Sequence, residues 1–532
     1  MVDSWLVKAI RKAYQAGEED ESLEPMVVVG EDNHPLGRMK KGDSVIFYDI
    51  RGEREIELTK SLTDGNFNHF PIVPDLGLKF VTMIEYNPSL KTKVAFPSQG
   101  EIKNTLAEVV TKNGLKILKI AESEKAVHIG FFMNGKSNRV FPGEERIIID
   151  SPSGISAYDL QPEMRAKEIA ECLSIKIKDY SYSLIIANLA NVDVVGHTEN
   201  REAILKAVET VDFQLGKVME ACRQEGATLI VTSDHGTVEE WLYEDGSINT
   251  GHTKNPVPFI LADYSNFNSQ KWPLREGGEL ADVAPTILNL LNLRPPSEMT
   301  GKSLLLDFDV DSQAKPKVVL LILDGWGLRE KGPGNLISSA RTPYFDKLWS
   351  EFPHCQLRAA GEAVGMPAHT VGNSEAGHLH LGAGRRILLD RVRIDKAIED
   401  GSFFHNPAFL WAMEEAKKEK KSLHLLGIVS HYSSHGTIKH LYQLLRLAQQ
   451  RRMEKVFVHA LIGRRGEKPE SGAVYVNKVQ QMCRELSLGQ VVTVMGRFWA
   501  LDREENWDRV EKAYRALVFG DGKKVGGKNL KR

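Results

Sequence analysis

Short apolar runs recur along this chain with longer amphipathic stretches between them, at residues 44–48, 183–187, 228–232, 318–323, 423–429, 456–462 and 491–495. Several are apolar throughout rather than alternating, which is the pattern of strands covered on both faces. Between them, residues 199–220 carry Ile204, Ala207, Val208, Val211, Leu215 and Val218 at helical spacing, and 507–517 does the same with Val510, Ala513, Tyr514 and Leu517. Buried strands alternating with such helices predict an α/β fold with parallel sheets and crossover helices. The polar stretch ending in Lys315-Pro316-Lys317 predicts a linker, and the glycine- and lysine-rich residues 520–532 predict a frayed end.

Composition narrows the picture. A chain of 532 residues exceeds one hydrophobic core, and at about 150 residues per domain two large units or three smaller ones are expected. Lys plus Arg number 69 against 71 Asp plus Glu, so the basic surface that general nucleic-acid binding needs is missing, and no nucleic-acid partner is expected. A small anionic ligand stays possible through local arginine clusters. Cys172, Cys222, Cys355 and Cys483 are too far apart in sequence for a metal knuckle or a dense disulfide framework. No apolar run approaches ~18 residues, and Asp3 stands where an export signal would be apolar, so a cytoplasmic protein without a membrane span is expected.

In an open parallel sheet, ligands gather at the carboxyl ends of the strands. Four such places carry metal-type side chains: Asp324 after VVLLIL, Asp193 with His197 after SLIIANLANV, the doublet Asp234-His235 after ATLIVTS, and His252 before NPVPFI. Each alone fits a turn or a helix cap. Together, three carboxylates and three imidazoles without a thiolate suit Mn²⁺ or Zn²⁺, and Mg²⁺ less well. Six ligands exceed one tetrahedral ion, which points to two ions. Ser374, between small residues at the start of a possible helix, would place its hydroxyl at the positive helix end, where a nearby metal would favour the ionised oxygen. Arg51 and Arg54 follow SVIFYDI, Arg497 and Arg503 follow VVTVM, and Lys125 precedes another apolar run; arginines so placed suit bidentate contact with phosphate or carboxylate.

The motifs LLILDGWG, RTPYFDKL, GEAVGMPAHTVGNSEAGHLHLGAGR, GRFWALDREENWDRVEKAY, ESEKAVHIGFFMNG, YDLQPEM, NVDVVGHT, TSDHG and GHTKNPVPF resemble the cofactor-independent phosphoglycerate mutases over nearly the whole chain. In that family the segment like 316–532 comes first and the segment like 1–301 follows, so this order resembles a circular permutation. The resemblance implies an alkaline-phosphatase-like metal domain from 316–388 plus 100–301, a second α/β substrate domain from 389–532 plus 1–99, and a joining linker at 302–315. It further implies that Asp193, His197 and His252 hold one metal, and that Asp324, Asp234, His235 and the nucleophile Ser374 meet the other. Mn²⁺ is the first expectation, with Zn²⁺, Co²⁺ or Mg²⁺ as alternatives and no 2,3-bisphosphoglycerate. Arg51, Arg54, Arg497, Arg503 and Lys125 match the family's substrate-binding basic residues.

Two stretches depart from the family. Its S-D-G-G-V-H-S-H is here 430–437, where the substrate-contacting histidine survives as His435. Its D-G-R-D is here 463–466, which keeps Arg465 but replaces the last aspartate, a proton-transfer candidate, with Gly466; Glu467 or His431 would be the substitutes besides His435. The implied activity is interconversion of 3- and 2-phosphoglycerate through a phosphoserine in a monomer, with domain closure excluding water. The alternatives are a metal-dependent phosphomonoesterase, a mutase of another phosphorylated hydroxy acid, and a non-catalytic protein that binds phosphorylated metabolites.

Overall fold

A computed structural model describes residues 4–153, 157–243, 245–265, 272–306, 317–431, 433, 435–463 and 470–526. The chain folds as two compact units, one holding the residues up to Ser98 and from Arg393 onward, the other Gln99–Val392. Each is built on an eight-stranded sheet with helices around it, the α/β architecture that the apolar runs predict.

In the first unit the strand order is Lys523–Gly526, Met26–Val29, Gln490–Gly496, Val456–Ile462, Leu423–Ile428, Ser44–Phe47, Lys79–Ile84 and Lys93–Phe96. Neighbours run parallel except where Met26–Val29 meets Gln490–Gly496. The strand Lys523–Gly526 corrects the expectation of a frayed end from residue 520. Its pairing with Met26–Val29 is made by backbone groups, which an exposed edge strand offers whatever its side chains. Residues 527–532 lie outside the described residues.

In the Gln99–Val392 unit the order is Gly278–Glu279, His354–Arg358, Val257–Asp263, Thr228–Thr232, Val318–Leu323, Tyr182–Leu189, Lys116–Glu122 and Glu144–Ile149. Val257–Asp263 is antiparallel to both of its neighbours, and the remaining pairs are parallel. The continuous apolar runs have a direct cause here. Val319, Leu321 and Leu323 face one buried layer with Ile185, Ala187, Leu229 and Val231, whereas Val318, Leu320 and Ile322 face the opposite layer with Leu184, Ile186 and Ile230. Val318–Leu323 thus lies between Tyr182–Leu189 and Thr228–Thr232, parallel to both, although it is the last of the three in the chain. The expected linker begins as packed chain: Lys302 N–H donates to Asp282, Leu304 N–H donates to Thr286, and Leu304 is buried. Residues 307–316 lie outside the described residues. No helix among the described residues is long and apolar enough to cross a membrane.

Lys116–Glu122 was not among the apolar runs because Lys119 interrupts it. That lysine is fully buried, 3.2 Å from Glu144, and burial lowers its pKa to about 8 despite the carboxylate. Glu144 also accepts from Arg146, Asn134 and the Phe141 N–H. Glu144→Leu therefore leaves a buried ammonium without its counter-charge and should cost about 3–5 kcal/mol in urea unfolding. Adding Lys119→Met should recover most of that loss; a double variant no more stable than Glu144→Leu would show that the pair does not act through charge.

Candidate metal site

Strand ends of the Gln99–Val392 unit bring together the polar residues singled out in the sequence. Asp324 follows Val318–Leu323, Asp193 sits in the short helix Asn191–Gly196 after Tyr182–Leu189 with His197 at that helix's end, and Asp234-His235 follow Thr228–Thr232. His252 precedes Val257–Asp263, and Ser374 opens the helix Ser374–Ala383, capped by the Asn373 side chain on the Ala376 N–H.

Around Asp193 the two imidazoles converge. His252 Nε2 lies 3.2 Å and His197 Nε2 3.4 Å from Asp193 Oδ1, and the two Nε2 atoms are 3.2 Å apart. Both Nδ1 atoms face carbonyls, that of Thr250 at 2.7 Å and that of Gly372 at 2.9 Å. With the ring protons committed there, both Nε2 lone pairs point inward and repel each other unless a cation lies against them. On the other side, His235 Nε2 lies 2.9 Å from Ser374 Oγ, 3.4 Å from Asp234 and 3.6 Å from Asp324. Asp193 Oδ1 and Asp234 Oδ2 have no hydrogen-bond partner. Inward lone pairs, orphaned buried carboxylate oxygens and a donor set without sulfur fit divalent cations.

Lys125, at the end of the turn Ser123–Lys125, belongs to this cluster. Its Nζ lies 2.7 Å from Asp193, 2.8 Å from Asp324 and 2.8 Å from Ser374 Oγ. Burial would raise the Asp193 carboxyl, but Lys125 and His235 outweigh it and hold that group well below the usual carboxylate range. Asp324 moves the opposite way, pushed up by burial and by the charge of Asp234.

The first unit gathers the arginines. Burial and then the charges of Arg503, Arg497 and Arg51 lower the Arg54 pKa, so the four guanidiniums share one neighbourhood. Glu53 accepts from Arg51 at 2.7 Å and Arg503 at 2.9 Å, Arg497 donates to Glu21, and Arg54 donates to the Leu501 carbonyl. Guanidinium forks gathered in this way suit a phosphate or carboxylate anion. His435 lies in this unit too, its ring buried with Nδ1 2.8 Å from Glu55. Arg465, Gly466 and Glu467 lie outside the described residues, and Lys125 is in the other unit from the arginines.

Three participants escaped the sequence reading. His378, four residues past Ser374 and so on the same helix face, has Nδ1 2.9 Å from the Ser374 carbonyl and 3.2 Å from Asp234. Asn188 donates to Asp324 at 2.7 Å. Glu239 is fully buried and accepts from the Thr237 N–H at 2.8 Å, from Asn255 at 3.0 Å and from the Thr253 hydroxyl. It thereby joins the loop after His235 to the loop after His252, and a Cβ at Gly327 in the loop after Asp324 would strike its carboxylate. Only the i+4 spacing of His378 was a readable signal; no periodicity marks Asn188 or Glu239.

The family model described as the Metalloenzyme superfamily matches residues 26–295, and that described as the BPG-independent PGAM N-terminus matches residues 394–531. Relatives include the 2,3-bisphosphoglycerate-independent phosphoglycerate mutase of Listeria monocytogenes serovar 1/2a, 42% identical over 301 residues, covering 56% of this chain and 57% of that protein. The protein of the same name from Clostridium botulinum type A is 44% identical over 301 residues, with the same shares of both chains. The chain thus spans little more than half the length of the relatives it matches. A Leishmania mexicana phosphoglycerate mutase crystal structure, solved at low cobalt concentration, is 25% identical over 52% of this chain and 53% of that one, with a TM-score of 0.35, too low to carry an inference.

Glu239 faces donors only, so Glu239→Gln turns an amide N–H₂ toward other donors. Because the carboxylate orients loops bearing ligands, the variant should bind Mn²⁺ about 10–100-fold more weakly in a chelator competition. Unchanged affinity would make Glu239 a packing residue without influence on the ligands.

Proposed function

The chain belongs to the Metalloenzyme superfamily, and from that premise we propose that it interconverts 3-phosphoglycerate and 2-phosphoglycerate through a phosphoserine on Ser374, without 2,3-bisphosphoglycerate. The observation that carries this reading is the setting of Ser374 Oγ, at a helix N-terminus, 2.8 Å from Lys125 Nζ and 2.9 Å from His235 Nε2 among three buried aspartates. The names of the relatives that the chain matches support the same choice.

Ser374 forms a bond to phosphorus as the bond from phosphorus to the substrate oxygen breaks, and the second hydroxyl of the same glycerate later takes the group back. Lys125 and the helix N-terminus favour the ionised serine oxygen and offset the phosphate charge. Arg51, Arg54, Arg497 and Arg503, with Arg465, hold the carboxylate and phosphate of the substrate, whose two negative groups suit guanidinium forks. We assign two divalent cations, Mn²⁺ first, to Asp193, His197 and His252 and to Asp324, Asp234, His235 and Ser374; when bound they supply positive charge that lowers the barrier to phosphoryl transfer. On this reading residues 100–301 with 316–388 form the phosphatase-like domain and 1–99 with 389–532 the substrate domain of a cytoplasmic monomer. The segment order is a circular permutation, a reading supported by an N-terminal family segment matching near the C-terminal end, at 394–531. Gly466, in place of an acid, favours a second reading as a phosphomonoesterase.

Ser374→Ala should lower formation of 2-phosphoglycerate from 3-phosphoglycerate by more than ~10³ in a coupled assay without added 2,3-bisphosphoglycerate, with metal content retained. Retention of more than a few per cent of the rate would exclude the phosphoserine, and release of free phosphate by wild type in place of 2-phosphoglycerate would select the phosphomonoesterase. Arg54→Ala removes a charge-assisted contact and should raise KM about 10–100-fold with a smaller change in kcat. An unchanged KM would place the substrate elsewhere.

A further inference from the structure

The first unit holds a second set of ligand-type side chains that neither the arginines nor the Ser374 cluster uses. Asp49 and Glu55 are 0% exposed and His435 is 1% exposed, and one donor atom of each lies within 4.8 Å of those of the other two. They come from the carboxyl ends of two adjacent parallel strands, Ser44–Phe47 and Leu423–Ile428, where backbone bonding continues from the Ile50 N–H to the His435 carbonyl. This is where ligands collect in such sheets.

The three groups satisfy one another poorly. His435 Nδ1 lies 2.8 Å from Glu55 Oε1, and Asp49 Oδ1 accepts from the Ile428 N–H at 2.7 Å. Asp49 Oδ2, Glu55 Oε2 and His435 Nε2 have no partner, so each side chain keeps one buried atom unmet. Among the described residues no lysine or arginine forms an ion pair with Asp49 or Glu55. Burial and the charge of Glu55 push the Asp49 carboxyl well above its usual range. Two buried carboxylates beside one imidazole are costly unless a positive charge joins them. A proton on Asp49 reduces the charge but does nothing for Glu55 Oε2 or His435 Nε2, whereas a small cation can meet a donor from all three residues.

We propose that Asp49, Glu55 and His435 form a further divalent cation site, distinct in its ligands from the Ser374 cluster, for an ion such as Mn²⁺ or Zn²⁺. One imidazole and two carboxylates without sulfur suit those ions. Asp49 and Glu55 bracket Arg51 and Arg54 in sequence, so an ion held by both ends of that turn fixes the segment that presents the two guanidiniums. The site does not depend on the mutase reading.

The test counts Mn²⁺ bound by the full chain in equilibrium dialysis, with Zn²⁺ as a second probe. Asp193→Asn combined with Asp234→Asn disables the Ser374 cluster. In that background one ion per chain should remain, and adding either Asp49→Asn or Glu55→Gln should remove it. Asp49→Asn keeps the oxygen that accepts from Ile428, and Glu55→Gln is an independent second variant; in otherwise wild-type chain each should lower the bound count by one. Equal counts with and without these substitutions, for both ions, would overturn the proposal and leave the cluster closed by a proton or water. The phosphoglycerate assay on unmodified chain is scored separately, so failure of the cation site and failure of the mutase reading are distinguishable.

Discussion

Carboxylates buried at the ends of parallel strands set the terms for the Gln99–Val392 unit. Asp193, Asp234 and Asp324 are nearly or fully buried, with Asp324 offering an oxygen within 4.8 Å of one from each of the other two, where isolated negative charges would be prohibitively costly. Everything near them serves that constraint. Lys125 bridges two of them, Asn188 donates to one, the Gly325 N–H donates to another, and the ring protons of His197 and His252 are turned outward to carbonyls. The crowding also decides residue size: a Cβ at Gly377 would lie 2.5 Å from the Asp234 carbonyl oxygen, and Gly325, at φ +82°, would bring one to 2.8 Å from the Asp193 backbone. The same charge that makes the cluster costly gives it affinity for cations.

The arginine cluster of the other unit is the complementary case. Burial and then the charges of the neighbouring guanidiniums lower the Arg54 pKa, and among the described residues Glu53 and Glu21 accept hydrogen bonds from this cluster. Gathered guanidiniums suit an anion, whereas the buried aspartates of the other unit suit cations. A net formal charge of -2 over the chain conceals both, because opposite excesses on two units cancel in the sum.

How far these features were legible follows from what each depends on. Strands such as Val318–Leu323 and Thr228–Thr232 were readable to the residue because both faces are buried and no polar side chain interrupts them. Lys116–Glu122 and Lys523–Gly526 were not, since a buried ion pair rescues the first and backbone pairing alone holds the second. At the candidate site, ligand-type residues following strands stood out by position, and the structure gathers Asp193, His197, Asp234, His235, His252, Asp324, Ser374 and Lys125 in one cluster. Glu239, Asp49 and Glu55 were silent, and His435 stood out only through the resemblance and not as a partner of Asp49 and Glu55, because that meaning comes from loops meeting in space across many intervening residues.

The placement of Val318–Leu323 shows what fixes this topology. Its six residues pair with Tyr182–Leu189 on one side and five of them with Thr228–Thr232 on the other, so the strand closes the middle of a sheet whose neighbouring strands precede it in the chain. Until it docks, Leu184, Ile186 and Ile230 on one face and Ile185, Ala187, Leu229 and Val231 on the other lack the layer they share with it. The apolar area involved, at roughly 25 cal/mol per Å², outweighs the slow logarithmic growth of loop-closure entropy with chain separation. Strand position is therefore governed by which two-faced apolar surface a segment completes, and chain order enters mainly through the time needed to bring distant segments together. Because Asp324 leaves the end of this strand, the same docking step delivers the carboxylate that Lys125 and Asn188 meet, so the charged cluster is assembled by hydrophobic closure of the sheet beneath it.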